Sequence, residues 1–249
     1  MIEVRDLQKS FGSHAVLQGV TFSVEKGESI VIIGASGGGK SVLLKHIIGL
    51  IRPDAGEVVI EGENIITLNE RQLIRVRRKF GMLFQGAALF DSMTVAENVG
   101  FVLRREGKSA PEIERRVAEV LDMVELEGTQ GKKPAELSGG MRKRVGLARA
   151  IVYQPEILLY DEPTTGLDPI VADSIDHLIV RVVEKLDATS IVVTHDMRSA
   201  RRVGKRVLML HEGKIYANGT PEEIFSSHDP VLHRFVNGIS EESEARIPA

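Results

Sequence analysis

A glycine-rich octapeptide constrains this chain more than any other stretch: Gly34-Ala35-Ser36-Gly37-Gly38-Gly39-Lys40-Ser41. It fits the pattern G-x-x-x-x-G-K-[ST], the phosphate-binding P-loop. Residues 29–33 before it predict a buried strand, and residues 42–48 after it predict a helix. The helix N-terminus adds unpaired N–H donors and the positive end of a dipole. The sequence therefore predicts a phosphate-binding loop rather than a glycine-rich turn with an incidental lysine.

Each residue type in this loop suits polyphosphate chemistry. The three consecutive glycines, 37–39, let the backbone come close to a phosphate and direct its N–H groups at it. Lys40 is expected to reach the β- and γ-phosphates, and the Ser41 hydroxyl is expected to ligate Mg²⁺. The expected ligand of this loop is therefore a polyphosphate together with Mg²⁺.

Composition narrows the classes of protein that remain. The 249 residues suffice for one large domain or for a core with an inserted subdomain, and the net charge of −3 does not favour nucleic acid as the main partner. The absence of cysteine excludes disulfides, cysteine-ligated zinc and thiol nucleophiles. The N-terminus has no signal-peptide pattern, and no apolar run approaches the roughly 18 residues that span a bilayer. If the protein works at a membrane, we expect another chain to supply the channel.

Three apolar strands are predicted to end in polar residues: one at Gln85, one at Asp161 and Glu162, and one at His195. The carboxyl ends of parallel strands meet at one edge of a sheet, so these residues are expected to share that edge. Asp161 would hold Mg²⁺, and Glu162 could activate a water molecule. Taken alone, Gln85 would be a surface residue and a lone histidine is more often structural, so only their position favours function.

Two of three further features leave two interpretations open. Ser138 can cap a helix while Gly139 and Gly140 leave its first N–H groups open, which predicts either a second anion site or a plain N-cap. Phe11 lies in a polar stretch, where it could stack on an adenine ring or anchor a small core. Asp168 is a suitable N-cap for a helix that begins at a proline.

The organisation of the chain changes along its length. Strand patterns dominate residues 2–33, whereas residues 91–155 predict a mostly helical insertion. Within it, Val117, Val120, Leu121 and Val124 follow the spacing of an amphipathic helix. Residues 226–249 form a tail with one apolar cluster, which could pack on the core of the chain or on a partner, and a polar end that is expected to fray.

Together these motifs resemble one family, the ATP-binding subunits of ABC transporters, over about residues 1–225. The most specific part is Leu137-Ser138-Gly139-Gly140, which looks like the signature motif of that family. The P-loop, this signature, Asp161-Glu162-Pro163 and Thr194-His195-Asp196 occur in the order typical of the family.

The resemblance implies a role for each matching residue. Glu162 would be the catalytic glutamate, His195 the switch histidine at the γ-phosphate, and Asp161 the Walker B aspartate. Gln85 would be the Q-loop glutamine, which senses Mg²⁺ and the attacking water and couples to the membrane subunit. The catalytic residues implied are Glu162, His195, Gln85 and Lys40, and the Mg²⁺ ligands, some acting through water, are Ser41, Gln85 and Asp161. The ATP-binding residues implied are Phe11, Gly34, Ala35, Ser36, Gly37, Gly38, Gly39, Lys40, Ser41, Val42, Ser138, Gly139, Gly140 and the D-loop residue Asp168.

The resemblance also implies a fold and an assembly. The expected fold is α/β: a P-loop NTPase (RecA-like) core with an N-terminal antiparallel β subdomain (together residues 1–90 and 156–225) and an inserted helical subdomain (91–155). The tail, 226–249, is expected to contact a partner or a second copy. Each chain carries one P-loop and one signature, so two copies would sandwich two ATP molecules and act as a Mg²⁺-dependent ATPase.

Three stretches narrow the resemblance to the ATPase of the Mla class, which moves phospholipid between the inner and outer membranes of Gram-negative bacteria. They are residues 83–90, residues 137–141 and the tail sequence at 234–239. Met141 replaces the glutamine with which the signature usually ends. The resemblance implies a polytopic permease, a periplasmic MCE-type lipid-binding protein and a possible STAS-domain subunit as partners. It places the chain as a peripheral protein on the cytoplasmic face of the bacterial inner membrane.

The substrate stays open at this point, because residues of the ATPase do not contact it. An importer ATPase for another solute, the ATPase of a lipoprotein-releasing complex and a non-transport ABC ATPase acting on nucleic acid are the alternatives. Members of the last class usually carry long coiled-coil arms or two ATPase units, and this sequence predicts neither.

Overall fold

The computed structural model describes residues 1–239, which divide into two compact units. The first unit comprises Met1–Glu25, Ser29–Leu68 and the described part of Val193–Ala249. The second unit comprises Lys26–Glu28 and Asn69–Val192. The polar end of the tail, which was expected to fray, lies outside the described residues.

The described residues form ten strands and ten α-helices. The strands are β1 (Ile2–Phe11), β2 (His14–Val24), β3 (Ser29–Ile33), β4 (Ala55–Ile60), β5 (Glu63–Asn64), β6 (Phe80–Leu83), β7 (Ile157–Asp161), β8 (Thr189–Thr194), β9 (Arg206–His211) and β10 (Lys214–Gly219). The helices are α1 (Lys40–Ile47), α2 (Glu70–Arg77), α3 (Val95–Val99), α4 (Phe101–Arg105), α5 (Ala110–Met123), α6 (Gly139–Ile151), α7 (Pro169–Leu186), α8 (Met197–Val203), α9 (Pro221–Phe225) and α10 (Pro230–Asn237). Short 3-10 helices lie at Ile65–Thr67 and Pro134–Glu136.

The first unit contains an antiparallel sheet with the strand order β2-β1-β4-β5. Ile2 on β1 lies opposite Val24 on one side and Ile60 on the other, and all three side chains are buried. Pairing apolar residues on one face of neighbouring strands stabilises the sheet and fixes its register. The predicted antiparallel β subdomain is therefore confirmed.

The first unit also contains the strand order β10-β9-β3, in which β3 and β9 are parallel. All five residues of β3 are buried, as predicted for the strand that leads into the P-loop. The hairpin between β9 and β10 turns at Glu212 (φ 47°) and Gly213 (φ 74°). Two consecutive positive φ values match the twist of the strands on either side.

The second unit contains the strand order β8-β7-β6, with β8 contributing its residues up to 192. Phe80 lies beside Ile157 and Leu83 beside Tyr160, so β6 and β7 are parallel and in register. All residues of both strands are buried, which explains their continuous apolar sequence. Together with the helices, these strands confirm the predicted α/β fold.

Residues 91–155 are mostly helical, as their sequence predicts, with α3, α4, α5 and α6 as the helices. Val117, Val120, Leu121 and Val124 are all buried, and Val124 is the C-cap of α5. The amphipathic spacing therefore identified the buried face of this helix correctly.

Two local features lie at helix ends. Leu186, the last residue of α7, is half-buried because the helix ends there and Asp187 turns the chain at φ 50°. The helix α8 was not predicted, although Asp196 caps it by accepting hydrogen bonds from the N–H groups of Arg198 and Ser199.

Candidate functional site

The P-loop joins β3 to α1 in the first unit. Gly39 is the N-cap of α1 in a left-handed conformation (φ 95°), and no side chain caps the helix. A helix N-terminus that no N-cap side chain covers is the kind of backbone arrangement that can bind a phosphate. Glycine is required at Gly34, because a Cβ there would lie 2.4 Å from the Leu210 carbonyl oxygen.

Lys40 crosses back over the loop that precedes it. Its ammonium donates hydrogen bonds to the carbonyl oxygens of Gly34 (2.7 Å) and Ala35 (3.0 Å), and the residue is 5% exposed. Ala35, Ser36 and Gly37 are exposed, whereas Ser41 and Val42 are half-buried. The loop thus presents exposed backbone to solvent around an internally held lysine.

Phe11, at the end of β1, does not anchor a core. Half of its surface (50%) is exposed, and the Lys9 ammonium lies 5.5 Å from the centre of its ring. The alternative in which Phe11 packs inside a small core is therefore wrong. An exposed aromatic face of this kind is available for stacking.

His195 directly follows β8, as predicted, and its side chain is exposed. The next residue, Asp196, is engaged as the N-cap of α8. His195 and the P-loop both belong to the first unit.

Asp161 is the last residue of β7 in the second unit and Glu162 follows it; both are buried, with 5% and 7% of their surface exposed. Glu162 has a φ of 49°, a conformation that costs a non-glycine residue free energy and that concentrates at functional sites. The Thr165 hydroxyl donates a hydrogen bond of 3.1 Å to the Glu162 carboxylate. The turn after β7 therefore holds both the backbone and the side chain of Glu162.

Lys143 is a residue of this site that the sequence interpretation did not single out. Its ammonium donates hydrogen bonds to the backbone carbonyl of Gln85 and, at 3.1 Å, to that of Glu162. Burial lowers the pKa of Lys143, and the nearby carboxylates of Asp161 and Glu162 oppose that shift. Lys143 thereby connects the backbones of Gln85 and Glu162, which the sequence predicted to act together. The side chain of Gln85 is exposed.

The signature segment is the N-terminus of α6. Ser138 is the N-cap, and its hydroxyl accepts a hydrogen bond of 3.2 Å from the Met141 N–H. The plain N-cap interpretation therefore holds in the single chain, which leaves an anion site as a proposal. A Cβ on Gly140 would lie 2.6 Å from Cγ1 of Val171, so α6 and α7 require glycine there.

Asp168 caps α7, as predicted. Its carboxylate accepts hydrogen bonds from the N–H groups of Ile170 (3.0 Å) and Val171 (3.1 Å), and its side chain is exposed. Ile170 beside it is 83% exposed, an unusual degree of exposure for a large apolar residue.

A family model described as "ABC transporter" matches residues 17–165, more than half of the chain. The chain belongs to the ABC transporter family. Its fold, its P-loop and the strand that ends in Asp161 and Glu162 identify it as an ATP-binding subunit and an ABC-type ATPase.

Several curated proteins share this sequence over most of its length. The chain is 44% identical over 238 residues to the Probable ribonucleotide transport ATP-binding protein mkl of Mycobacterium leprae, covering 95% of this chain and 69% of that protein. It is 43% identical over 256 residues to Protein TRIGALACTOSYLDIACYLGLYCEROL 3, chloroplastic, of Arabidopsis thaliana (96% and 74%). It is also 43% identical over 227 residues to the Methionine import ATP-binding protein MetN of Caulobacter vibrioides (90% and 68%).

A solved structure supports the same assignment. The ATP-binding cassette MJ0796, described as a dimer in a post-hydrolysis state bound to ADP and Pi, superposes with a TM-score of 0.82 at 34% identity, covering 89% of this chain and 99% of that one. Among the helices that the structure describes in residues 1–239, none is long and apolar enough to cross a membrane.

Proposed function

We propose that this chain is the ATP-hydrolysing motor of a transporter that moves phospholipid between the inner and outer membranes. The observation that carries the lipid assignment is the sequence of residues 83–90, 137–141 and 234–239, which resembles the Mla class. A relative that is 43% identical carries the name of a galactolipid, which supports a lipid as the transported class.

The proposed catalytic roles follow from the chemistry of each side chain. Glu162 orients water for in-line attack on the γ-phosphate and accepts its proton, and Lys40 and His195 stabilise the charge that develops. Gln85 contacts the attacking water and transmits closure to the permease. Phe11 stacks on the adenine ring, while the loop from Gly34 to Val42 holds the phosphates.

We assign Mg²⁺ to Ser41, Asp161 and Gln85, because hydroxyl, carboxylate and amide oxygens are the donors that Mg²⁺ prefers. Within residues 1–239, no group of three or more His, Cys, Asp or Glu side chains offers a competing metal site. When bound, Mg²⁺ neutralises charge on the β- and γ-phosphate oxygens.

The working unit that we propose is a dimer. Ser138, Gly139 and Gly140 of a second copy would contact the γ-phosphate, and Asp168 would lie at the same interface. Exposed Ile170, next to Asp168, supports this assignment, since a large apolar side chain gains most from being covered. We assign residues 91–155 to a helical subdomain and residues 226–249 to contacts with a partner or the second copy.

The proposed partners are a polytopic permease, an MCE-type lipid-binding protein and a STAS-domain subunit. They would place the chain on the cytoplasmic face of the bacterial inner membrane as a peripheral protein. The test is to extract the complex in native lipid nanodiscs and measure ATP-driven transfer of labelled phospholipid to acceptor vesicles. We expect transfer with the wild-type chain and none with Glu162→Gln.

The second candidate is an importer ATPase for a small polar solute, and relatives named for methionine import and ribonucleotide transport favour it. Uptake of labelled methionine or ribonucleotide that depends on this chain, with no phospholipid transfer, would overturn the lipid proposal. Either outcome leaves the ATPase assignment intact.

A further inference from the structure

The signature helix α6 contacts the segment after β6 along one of its faces. Lys143, Gly146 and Arg149 are spaced three residues apart on α6, so they lie on the same side of the helix. A Cβ on Gly146 would lie 2.8 Å from Cδ1 of Leu83 and 3.1 Å from Cβ of Ala87, so the backbones approach closely there. This face of α6 therefore packs directly against residues 83–90.

At one end of this face, Lys143 joins two segments that are distant in sequence. Its ammonium binds the carbonyls of Gln85, 58 residues away, and of Glu162, 19 residues away. A lysine that is only 5% exposed loses hydration free energy, and two carbonyl acceptors together with two neighbouring carboxylates offset this loss. A solvated surface lysine would need none of these contacts.

At the other end, Arg149 holds a strained pair of residues. Its guanidinium donates to the carbonyls of Ala87 (2.6 Å) and Ala88 (2.7 Å). Both alanines have positive φ values, 59° and 48°, which non-glycine residues adopt only when the surroundings impose them. The same guanidinium lies 5.9 Å from the ring centre of Phe90. Arg149 therefore maintains the conformation of residues 87–90.

We propose that Lys143 is a positioning residue for hydrolysis, which sets the Gln85 and Glu162 backbones relative to each other, while Arg149 holds the adjoining residues 87–90 against α6. This inference rests on the proposed roles of Gln85 and Glu162. Displacing either backbone would move a side chain away from the attacking water without removing any group that binds ATP. Because one ammonium contacts both segments, movement of α6 would reach both residues at once.

The first experiment compares Lys143→Met with Lys143→Arg in steady-state ATP hydrolysis by the full chain. We expect Lys143→Met to lower kcat by about tenfold or more, because small displacements of reacting groups have effects of this size, and to leave the KM for ATP within about twofold. Lys143→Arg keeps a positive charge and N–H donors and should recover part of the loss. Lys185→Met, at an exposed position on α7, is the matched control.

The second experiment measures hydrogen exchange in the nucleotide-free protein, which does not depend on activity. Lys143→Met should raise exchange in peptides that cover both 85–90 and 162–167, where the N–H groups of Ala87 and Thr165 are hydrogen-bonded to the backbone. Arg149→Met should raise exchange in 85–90 and much less in 162–167. Lys185→Met should change neither peptide.

Wild-type kcat in a folded Lys143→Met variant would overturn the proposal, as would unchanged exchange in either peptide. Equal loss of kcat in Lys143→Met and Lys143→Arg, in proportion to an equal drop in Tm, would also overturn it by showing a purely structural role. If Glu162→Gln hydrolysed ATP normally, the proposed function would fail, whereas the paired change in exchange would stand as an independent result.

Discussion

The hydroxyl of Thr165 donates a hydrogen bond of 3.1 Å to the carboxylate of Glu162. Glu162 is buried and has a left-handed backbone conformation. A hydrogen bond to an ionised carboxylate is among the stronger hydrogen bonds in proteins. Thr165 therefore holds the proposed water-activating group in one orientation.

Replacing Thr165 with Val should lower kcat by about tenfold, equivalent to about 1.4 kcal/mol, because the carboxylate loses its orienting donor. Thr165→Ser keeps the hydroxyl and should retain most of the activity. Steady-state hydrolysis at saturating ATP measures both variants. A Thr165→Val enzyme with the kcat of the wild type would show that this hydrogen bond does not position Glu162.

Glu162→Gln should leave ATP binding intact and nearly abolish turnover, by a factor of about 10² to 10⁴, because the amide cannot accept a proton from water. The measurements are the Kd for ATP and the rate constant of ATP hydrolysis under single-turnover conditions. Glu184→Gln, at an exposed position on α7, is the matched control. Normal turnover in Glu162→Gln would exclude Glu162 as the base.

Lys40→Ala should weaken ATP binding by at least about tenfold, since the variant loses the charge that we propose contacts the β- and γ-phosphates. It also frees the carbonyls of Gly34 and Ala35, which Lys40 now binds. Calorimetric titration with a non-hydrolysable ATP analogue measures the Kd. Lys214→Ala, exposed on β10, should bind as the wild type does. Unchanged affinity in Lys40→Ala would count against the phosphate-binding role.

Phe11→Ala should weaken the binding of ATP with little effect on the free energy of unfolding, because half of the side chain is already exposed. The expected loss is about 1 kcal/mol, the size of a typical aromatic stacking contact. Phe11→Tyr keeps the ring and should bind ATP normally. Inorganic triphosphate separates the two sources of affinity, since it has no base to stack and should bind Phe11→Ala as tightly as the wild type. Equal weakening for both ligands would refute stacking.

Asn98→Leu should destabilise the chain by about 2 to 4 kcal/mol, as removal of a buried hydrogen-bonding group does. Asn98 is fully buried, and its side-chain amide donates to the carbonyls of Phe90, Met93 and Thr94 while its oxygen accepts from the Phe90 N–H. Urea denaturation measures the change. Asn237→Leu, at an exposed position on α10, should fall within about 0.5 kcal/mol of the wild type. If the free energy of unfolding of Asn98→Leu changed as little as that of Asn237→Leu, these hydrogen bonds would add little stability.

Local sequence determined much of this protein. The P-loop between β3 and α1 and the N-caps at Ser138 and Asp168 all form where the sequence predicts them. These features depend on neighbours within four residues, so the pattern of residue types specifies them directly. The buried strand that leads into Asp161 and Glu162 was also predictable, because a short continuous apolar run indicates a strand that is buried on both faces.

Only the tertiary structure decided the environment of Lys143. This residue lies in the basic run Arg142-Lys143-Arg144, a pattern that is typical of a charged helix surface. Its burial depends on two carbonyls, those of Gln85 and Glu162, that lie 58 and 19 residues away in the chain. The left-handed backbones of Ala87, Ala88 and Glu162 have the same origin, since nothing in these residue types favours a positive φ. Contacts between distant segments impose such conformations, and local sequence propensity does not predict them.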